Sequence, residues 1–334
     1  MTQDILQTPT VSVCVPSYNH SRYVRLCLES VFAQTYRNIQ LIVIDDGSTD
    51  DSVKVIEKTL KDCPFDCEFV VRPNKGLVAT LNEALEKSRG EFLAELSSDD
   101  LWLPEFLQRR VGQMQKHPNA VLAYGHCFLI NESNKIFGTT NNWVDYGSQK
   151  TQEMLLALCF PQAPTVIYRK SVLAEQKWND IFPEDIDLYL RLCVLGEFAF
   201  DANLSSAYRT HPHNSARRTK QLLNGQIQSF RRNADILGLS EQDLIEMETK
   251  INWQSIDLYL NYGKCLEAVK TALKYSHIKA PVASKIRQYA KLLMPQSVLR
   301  TLRKNIKRNS DKWHGLDIED LITDQIKTGK SFSL

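Results

Sequence analysis

Short apolar, largely β-branched runs alternate with segments of helical periodicity along the first hundred residues of this 334-residue chain. The runs are VSVCVPSY (11–18), IQLIVIDDG (39–47), EFVV (68–71) and EFLAEL (91–96), and a fifth, AVLAYGHCFLI (120–130), follows a helical pattern over 104–116. Such alternation indicates βαβ units. We therefore predict an α/β fold with a Rossmann-like, mostly parallel central sheet.

The pattern changes twice along the chain. Beyond residue 130 the alternation becomes irregular, so 131–215 is interpreted as a second half of the same domain with a different task. From 216 to 334 the strand signal is weak, and amphipathic segments are broken near Gly238, Pro281 and Pro295, which predicts a C-terminal helical appendage. Residues 1–10 are treated as an N-terminal extension.

Charge and composition limit the function classes. The formal net charge is +2, and 43% of the residues are hydrophobic, which indicates a globular protein without a strongly basic or acidic character. No apolar run reaches about 18 residues, and the N-terminus has no signal-like core, so we expect a cytoplasmic protein. The eight cysteines are scattered and are interpreted as reduced.

One basic stretch departs from this balance. Residues 281–312 contain nine Lys or Arg against a single acid, with leucines interleaved at roughly helical spacing. The stretch is either a solvated helix packed on the core or an interfacial helix at an anionic membrane. We expect no nucleic acid partner, because no recognition motif accompanies the charge.

Polar clusters follow four of the predicted strands. They are Pro16-Ser17-Tyr18-Asn19, Asp45-Asp46-Gly47-Ser48, Arg72-Pro73-Asn74-Lys75-Gly76 and Ser97-Ser98-Asp99-Asp100. Each alone is explained as a turn or a helix cap, and Asp99 or Asp100 could cap the helix after Pro104. Together at the carboxyl edge of a parallel sheet, they suit a divalent cation shared with phosphate. No Walker loop and no G-x-G-x-x-G accompanies them.

The residues that carry these clusters resemble a known family. VSVCVPSYNHSRYVRLCLESVFAQTYRNIQLIVIDDGSTDDS, RPNKGLVATLNEALEKSRGEFLAELSSDDLW, FPEDIDLYLRLCVLGEF and LSSAYRTHPHNS are similar, in order and spacing, to blocks of family 2 glycosyltransferases. The resemblance covers 11 to about 215. It implies a nucleotide-diphospho-sugar transferase (GT-A) fold that transfers a sugar with inversion, with 11–130 as the nucleotide-sugar-binding half and 131–215 as the acceptor-binding, catalytic half.

The resemblance also implies roles at the nucleotide and metal sites. Asp46 would accept a hydrogen bond from a uracil-like base, and Asp100 would bind Mn²⁺ or Mg²⁺ with Asp99 beside it toward the ribose or the metal. The remaining residues near the nucleotide would be Pro16, Tyr18, Asp45, Arg72 and Asn74. Ser97 departs from the family pattern, because many members have an acid there, and this lowers the charge density at the metal.

A second acidic block supplies the catalytic candidates. Asp185 in Pro183-Glu184-Asp185-Ile186-Asp187 matches the family's general base, and Glu184 and Asp187 would be supporting residues that orient the loop or contact acceptor hydroxyls. Without the resemblance, the block is explained as an acidic helix N-terminus. His211 is either a surface loop histidine or a contact to the metal or pyrophosphate.

The leading hypothesis is therefore an inverting, metal-assisted glycosyltransferase that uses a UDP-sugar and a glycan or lipid-linked acceptor. The alternative is a non-catalytic nucleotide-sugar-binding or scaffold protein derived from the same fold, which Ser97 favours and the Glu184-Asp185 pair opposes. Peripheral membrane contact through 281–312 and homo-oligomerisation through the C-terminal helices are further expectations.

Overall fold

A computed structural model describes residues 10–140, 150–278, 282–295, 298 and 312–333. Residues 1–9 of the predicted extension 1–10 and much of the basic stretch 281–312 lie outside these residues. Within the described ranges the helices are α1 (Val24–Phe32), α2 (Ser52–Thr59), α3 (Leu77–Lys87), α4 (Phe106–Lys116), α5 (Thr151–Leu156), α6 (Lys170–Gln176), α7 (Glu184–Leu192), α8 (Thr219–Arg232), α9 (Ala234–Leu237), α10 (Glu241–Asn261), α11 (Cys265–Lys274), α12 (Val282–Leu293) and α13 (Ile318–Thr328).

One mixed sheet organises the chain. Its strands are β1 (Val11–Ser17), β2 (Ile39–Asp45), β3 (Asp66–Val71), β4 (Phe92–Glu95), β5 (Leu101–Trp102), β6 (Ala120–Ile130), β7 (Ile136–Thr139), β8 (Ile167–Arg169), β9 (Glu197–Arg209) and β10 (Phe332–Ser333). The order is β10-β9-β6-β8-β4-β1-β2-β3, with β5 on β9 and β7 on β6. The pairs β1–β2, β1–β4, β2–β3 and β6–β9 are parallel. The five strands and the helix predicted from the first 130 residues are confirmed.

The sheet is covered on both faces, which is why its central strands are apolar throughout. All seven residues of β1 and all seven of β2 are buried. On one face α1 inserts Cys27 and Leu28 into a cluster with Val13 and Trp102. On the other face Leu81 of α3 and residues of α5, α7 and α8 form a second cluster. A parallel sheet buried in this way leaves only its edges and its strand ends open to ligands.

The irregular region 131–215 completes the sheet. It contributes β7, β8 and the 13-residue β9, and β9 also pairs with the short β5 that follows the Asp99-Asp100 pair. Because β5 intervenes, α4 begins only at Phe106 with Glu105 before it. The structural explanation of Asp99 or Asp100 as the cap of that helix is therefore wrong.

The C-terminal region is largely helical, as predicted. Within the described part of the chain, α8 to α12 follow one another, and Trp253, Ile256 and Ala268 form a small core between α10 and α11. The last described segment returns to the sheet, where β10 pairs with β9 and Phe332 packs on Phe128. A two-residue edge strand has no periodicity to read, so the sequence did not reveal it. Among the described residues, no helix combines the length and apolarity needed to cross a bilayer.

Candidate active site

The four polar clusters meet at one edge of the sheet. Backbone hydrogen bonds continue beyond the strands and hold the loops together: Asp46 N donates to Ser17 O (2.8 Å), and Ser98 N donates to Pro16 O (3.3 Å). Arg72 N likewise donates to Asp45 O (3.2 Å). The predicted convergence of the strand ends is confirmed, because parallel strands end at the same side of a sheet.

Asp45 and Asp46 stabilise the loops that follow β2 and β3. Asp45 accepts hydrogen bonds from the backbone N (2.8 Å) and the hydroxyl (2.7 Å) of Ser48. Asp46 accepts from the backbone N of Lys75 (2.9 Å) and of Gly76 (2.8 Å), and it forms an ion pair with Arg72. Both carboxylates are buried. Asp46 and Arg72 are thus brought together, and Asp46 is already bound to the loop that was expected to approach the nucleotide.

A glycine permits this close arrangement. Gly47 has a φ of +77°, and a Cβ added there would lie 2.7 Å from Asn74 N. A side chain at this position would push the β2 and β3 loops apart. The Asn74 backbone therefore lies against Gly47, the residue after Asp46, while Asn74 itself is exposed.

Tyr18 and Pro16 lie beside each other at the end of β1. Pro16 is buried inside the sheet, whereas Tyr18, directly after the end of β1, is 48% exposed. An exposed aromatic ring beside the strand ends is suited to stack on a planar base.

The structure brings Asp99 together with two histidines. Asp99 Oδ2 lies 2.9 Å from His211 Nε2, and Asp99 Oδ1 lies 3.9 Å from His20 Nδ1. One ligand atom from each of the three residues lies within 4.8 Å of the others. Burial opposes ionisation of Asp99, but the hydrogen bond from His211 and the neighbouring His20 lower its pKa overall. His211 is 4% exposed, so the explanation as a surface loop histidine is wrong.

The carboxylate of Asp100 is not part of the group that Asp99 forms with the two histidines. Its Oδ1 accepts a hydrogen bond from the backbone N of Arg209 (2.7 Å), and the carboxyl is 2% exposed. Burial and the neighbouring Asp99 raise the pKa of Asp100 well above its usual range. Among the described residues, the group with metal-ligand geometry contains Asp99 and omits Asp100. Asp99, in the turn after β4, therefore lies with the histidines, whereas Asp100, directly before β5, faces the backbone of Arg209.

The acidic block of α7 lies at the start of the helix. Asp185 Oδ1 accepts from the backbone N of Ile186 (2.7 Å). Burial, followed for Glu184 by the charge of Asp185, raises the pKa of Glu184 to about 7, and burial raises that of Asp185 to about 6. A carboxylate with a pKa near neutrality accepts a proton better than an ordinary one.

Asp187 has a different task from its two neighbours. It is fully buried, and it accepts hydrogen bonds from Asn179 Nδ2 (2.8 Å), Asn233 Nδ2 (3.1 Å) and Arg191 Nε (3.1 Å). With both oxygens bound inside the protein, Asp187 fixes α7 against α8. Of the two supporting roles expected for it, orientation of the helix is the one that this geometry allows.

Two residues of the site were missed in the sequence. Glu95, at the end of β4, is 6% exposed, and burial, followed by the charges of Glu184 and Asp185, raises its pKa to about 8. The charge of Asp99 acts on it in the same direction. Glu95 therefore lies where the strand-end clusters and the α7 acids meet. The sequence signal for Glu95 was only its position inside the otherwise apolar stretch FLAEL. His20 had no signal before the fold placed it opposite Asp99.

Known proteins resemble this chain in sequence and in fold. Residues 12–176 match the model of glycosyl transferase family 2. Chondroitin synthase of Escherichia coli is 26% identical over 200 residues, which cover 58% of this chain and 28% of that protein. The chain therefore spans less than a third of the length of this relative.

Two solved structures share the fold. Over 96% of this chain and 92% of the other, S. aureus TarS in complex with UDP-GlcNAc superposes with a TM-score of 0.58 at 17% identity. The mannosyltransferase PcManGT from Pyrobaculum calidifontis, in complex with GDP-Man and Mn²⁺, gives a TM-score of 0.56 at 14% identity over 92% and 89% of the two chains. The predicted GT-A fold is thus confirmed, and residues 12–176 of the chain form a glycosyl transferase family 2 domain.

Proposed function

We propose that this chain transfers a sugar from a nucleotide diphosphate donor, a UDP-sugar, to a hydroxyl of a glycan or lipid-linked glycan, with inversion at the anomeric carbon. The observation that carries the proposal is that the charges of two groups act together on the buried Glu95. On one side is Asp99 with its histidines, and on the other are Glu184 and Asp185 with raised pKa values. A cation-binding group next to a basic carboxylate is the equipment that such a transfer needs.

The nucleotide would lie over the ends of β1 to β3. Tyr18 offers an exposed ring to the base, and Asp46 with Arg72 offers paired polar groups at the loop that Asn74 completes. Because Asp46 is already bound by Arg72, we propose that the two residues contact the base together. The UDP-GlcNAc complex of the TarS structure supports a uridine donor, and the GDP-Man complex shows that the fold also accepts guanosine.

Asp99 and His211 fit a divalent cation. Carboxylate oxygen and imidazole nitrogen are both ligands of Mn²⁺, and donors on one ion lie about 3–4 Å apart, which is close to the spacing seen here. We propose that these two residues, rather than Asp100, hold Mn²⁺ or Mg²⁺. When bound, the cation neutralises the charge of the departing nucleoside diphosphate.

In the transfer, Asp185 would take the proton of the acceptor hydroxyl as its oxygen attacks the anomeric carbon. Glu184 beside it shares the negative charge of the pair and so keeps the affinity for a proton high. Asp187 holds the helix in place through Asn179 and Asn233. The protein thus supplies a pre-positioned base on a rigid helix start.

A donor screen tests the proposed function. Thermal shift with UDP-, GDP- and dTDP-sugars, each with and without Mn²⁺, should give the largest stabilisation with a UDP-sugar plus metal, because a ligand that binds only the folded state raises Tm. Slow release of UDP from that sugar would then show turnover. Binding without any release or transfer would favour the non-catalytic scaffold, and no shift with any donor would contradict both.

We also propose that the protein contacts the cytoplasmic face of an anionic membrane through α12. Val282, Ile286 and Leu293 follow one another on one side of this helix and are 72%, 63% and 87% exposed. Lys285 and Arg287 lie on the same helix, which has no acid. A second copy would bring equal charges together, whereas anionic headgroups complement them. The membrane is therefore the occupant that this surface favours over a homodimer.

Vesicle binding tests this surface. The protein should sediment with phosphatidylglycerol vesicles at low salt and not with phosphatidylcholine vesicles, and Ile286→Glu should weaken binding at least about 5-fold through lost apolar contact and added negative charge. Ile245→Glu, at a residue of α10 that is 47% exposed, is the matched control and should bind as the wild type does. Equal binding by both variants would contradict the proposal. So would dissociation of a dimer by Ile286→Glu without any vesicle binding.

A further inference from the structure

His20 faces the Asp99 carboxylate from the side opposite to His211. His20 Nδ1 is 3.9 Å from Asp99 Oδ1, whereas His211 Nε2 is 2.9 Å from Oδ2. The two imidazole rings lie edge to face with centroids 5.6 Å apart. The carboxylate is therefore flanked by a nitrogen donor next to each of its oxygens.

The position of His20 is well determined by its surroundings. Its backbone N donates to Ser52 Oγ (2.9 Å), and its carbonyl accepts from the backbone N of Tyr23 (2.8 Å) and of Val24 (2.9 Å). The ring nitrogen Nδ1 is 2.8 Å from Ser98 Oγ, so an ion bound through this nitrogen would replace that contact. These contacts tie the residue to the start of α1 and aim its ring at the strand-end loop, so that little ordering is needed for it to bind an ion.

The loop after β4 has one acid fewer than the family pattern predicts. Ser97 occupies the position where the family resemblance leads one to expect a carboxylate, and Asp100 is engaged by Arg209. A cation held by Asp99 and His211 alone would have two protein ligands. The ligand atom of His20 completes the group of three that lies within 4.8 Å.

We propose that His20 is a third protein ligand of the divalent cation, so that the site is a two-histidine, one-carboxylate set. This inference rests on the proposed metal site at Asp99 and His211. Imidazole nitrogen is a good ligand for Co²⁺ and Zn²⁺ and binds Mn²⁺ more weakly, whereas Mg²⁺ prefers oxygen ligands. The site therefore selects the former ions over Mg²⁺, and the second histidine offsets the acid lost at Ser97.

Metal binding without donor or acceptor tests the assignment. Titration of the full chain with Mn²⁺, followed by electron paramagnetic resonance, should show affinity reduced at least about 10-fold in His20→Ala. The visible absorption of bound Co²⁺ should change, because a nitrogen ligand is lost. The preference for Mn²⁺ over Mg²⁺ should also be smaller in His20→Ala than in the wild type. His213→Ala is the control, since His213 lies next to His211 with ring centroids 6.3 Å apart but outside the ligand group.

A second variant separates ligation from positioning. His20→Asn can keep a hydrogen bond to Ser98 but has no imidazole nitrogen, so its Co²⁺ spectrum should resemble that of His20→Ala. Wild-type Mn²⁺ affinity and Co²⁺ spectrum in either variant, with binding lost in His211→Ala, would overturn the role of His20 and leave the proposed metal site intact. A wild-type protein that binds none of these ions would overturn both.

Discussion

Asp185→Asn should reduce sugar transfer by about 100- to 10,000-fold, the usual contribution of a general base, while leaving the affinity for the nucleotide sugar within about 2-fold. The amide occupies the same space but cannot take the acceptor proton. Isothermal titration with the donor and a transfer assay on the same sample measure the two effects. Asp180→Asn, at an exposed acid five positions earlier, is the matched control and should keep full activity. A variant with wild-type turnover would remove Asp185 from the mechanism.

The pH profile of the wild type provides an independent check on this base. Burial raises the pKa of Asp185 to about 6 and that of Glu184 to about 7. Activity should therefore fall as the pH drops through 7 to 6, because protonation removes the proton acceptor. The two acids titrate as a pair, so the acidic limb of the pH profile reports both of them. A limb near pH 4, the range of an ordinary carboxyl, would contradict the raised values.

The same substitution should stabilise the fold at pH 8. The pKa of Asp185 is raised above its value in the unfolded chain, so the ionised carboxylate destabilises the folded protein as the pH rises from about 4 to about 6 and above. Asparagine removes this cost, and Tm at pH 8 should rise by about 2–4 °C. At about pH 3 the gain should have largely vanished, since the carboxyl is then mostly protonated in both states.

Asp99→Asn and Asp100→Asn should have sharply different effects on metal binding. Loss of the Asp99 carboxylate should weaken Mn²⁺ binding by more than about 100-fold and remove the effect of Mn²⁺ on donor affinity, because it is the one charged group beside His20 and His211 in the ligand set. Asp100→Asn keeps an oxygen that can accept the hydrogen bond from Arg209 N, so metal binding should persist.

Calorimetry of UDP binding with and without Mn²⁺ compares the two variants directly. They differ by one position and by the same chemical change, so each is the control for the other. Loss of metal-dependent binding in Asp100→Asn but not in Asp99→Asn would restore the assignment that the sequence resemblance implied. Equal loss in both would show that the two acids share the ion.

The sequence was most informative where its signal was periodic and local. The β1 and β2 strands, the helix at Phe106–Lys116 and the four polar strand ends all followed from patterns of apolar residues and from the geometry of parallel sheets. The acidic block at Glu184 and Asp185 was found through the resemblance, and the structure explains it by the burial that raises both pKa values.

Orientation within the site could not be read in this way. Asp99 and Asp100 are adjacent and chemically identical, and only the pairing of β5 with β9 turns one toward His211 and the other toward Arg209. Glu95 and His20 lie far apart in the chain, and their proximity to the other groups depends on contacts across the sheet.

The sequence by itself determined the parallel half of the sheet, the family and the chemical types of the candidate residues, because these depend on periodicity and on short motifs. The tertiary structure alone decided which of the two acids lies beside the histidines, that Asp187 is a support for α7, and that His20 joins Asp99 and His211. The physical reason is distance along the chain. A strand end sets the direction of its own loop, but the partner of each side chain comes from another element, and only packing brings the two together.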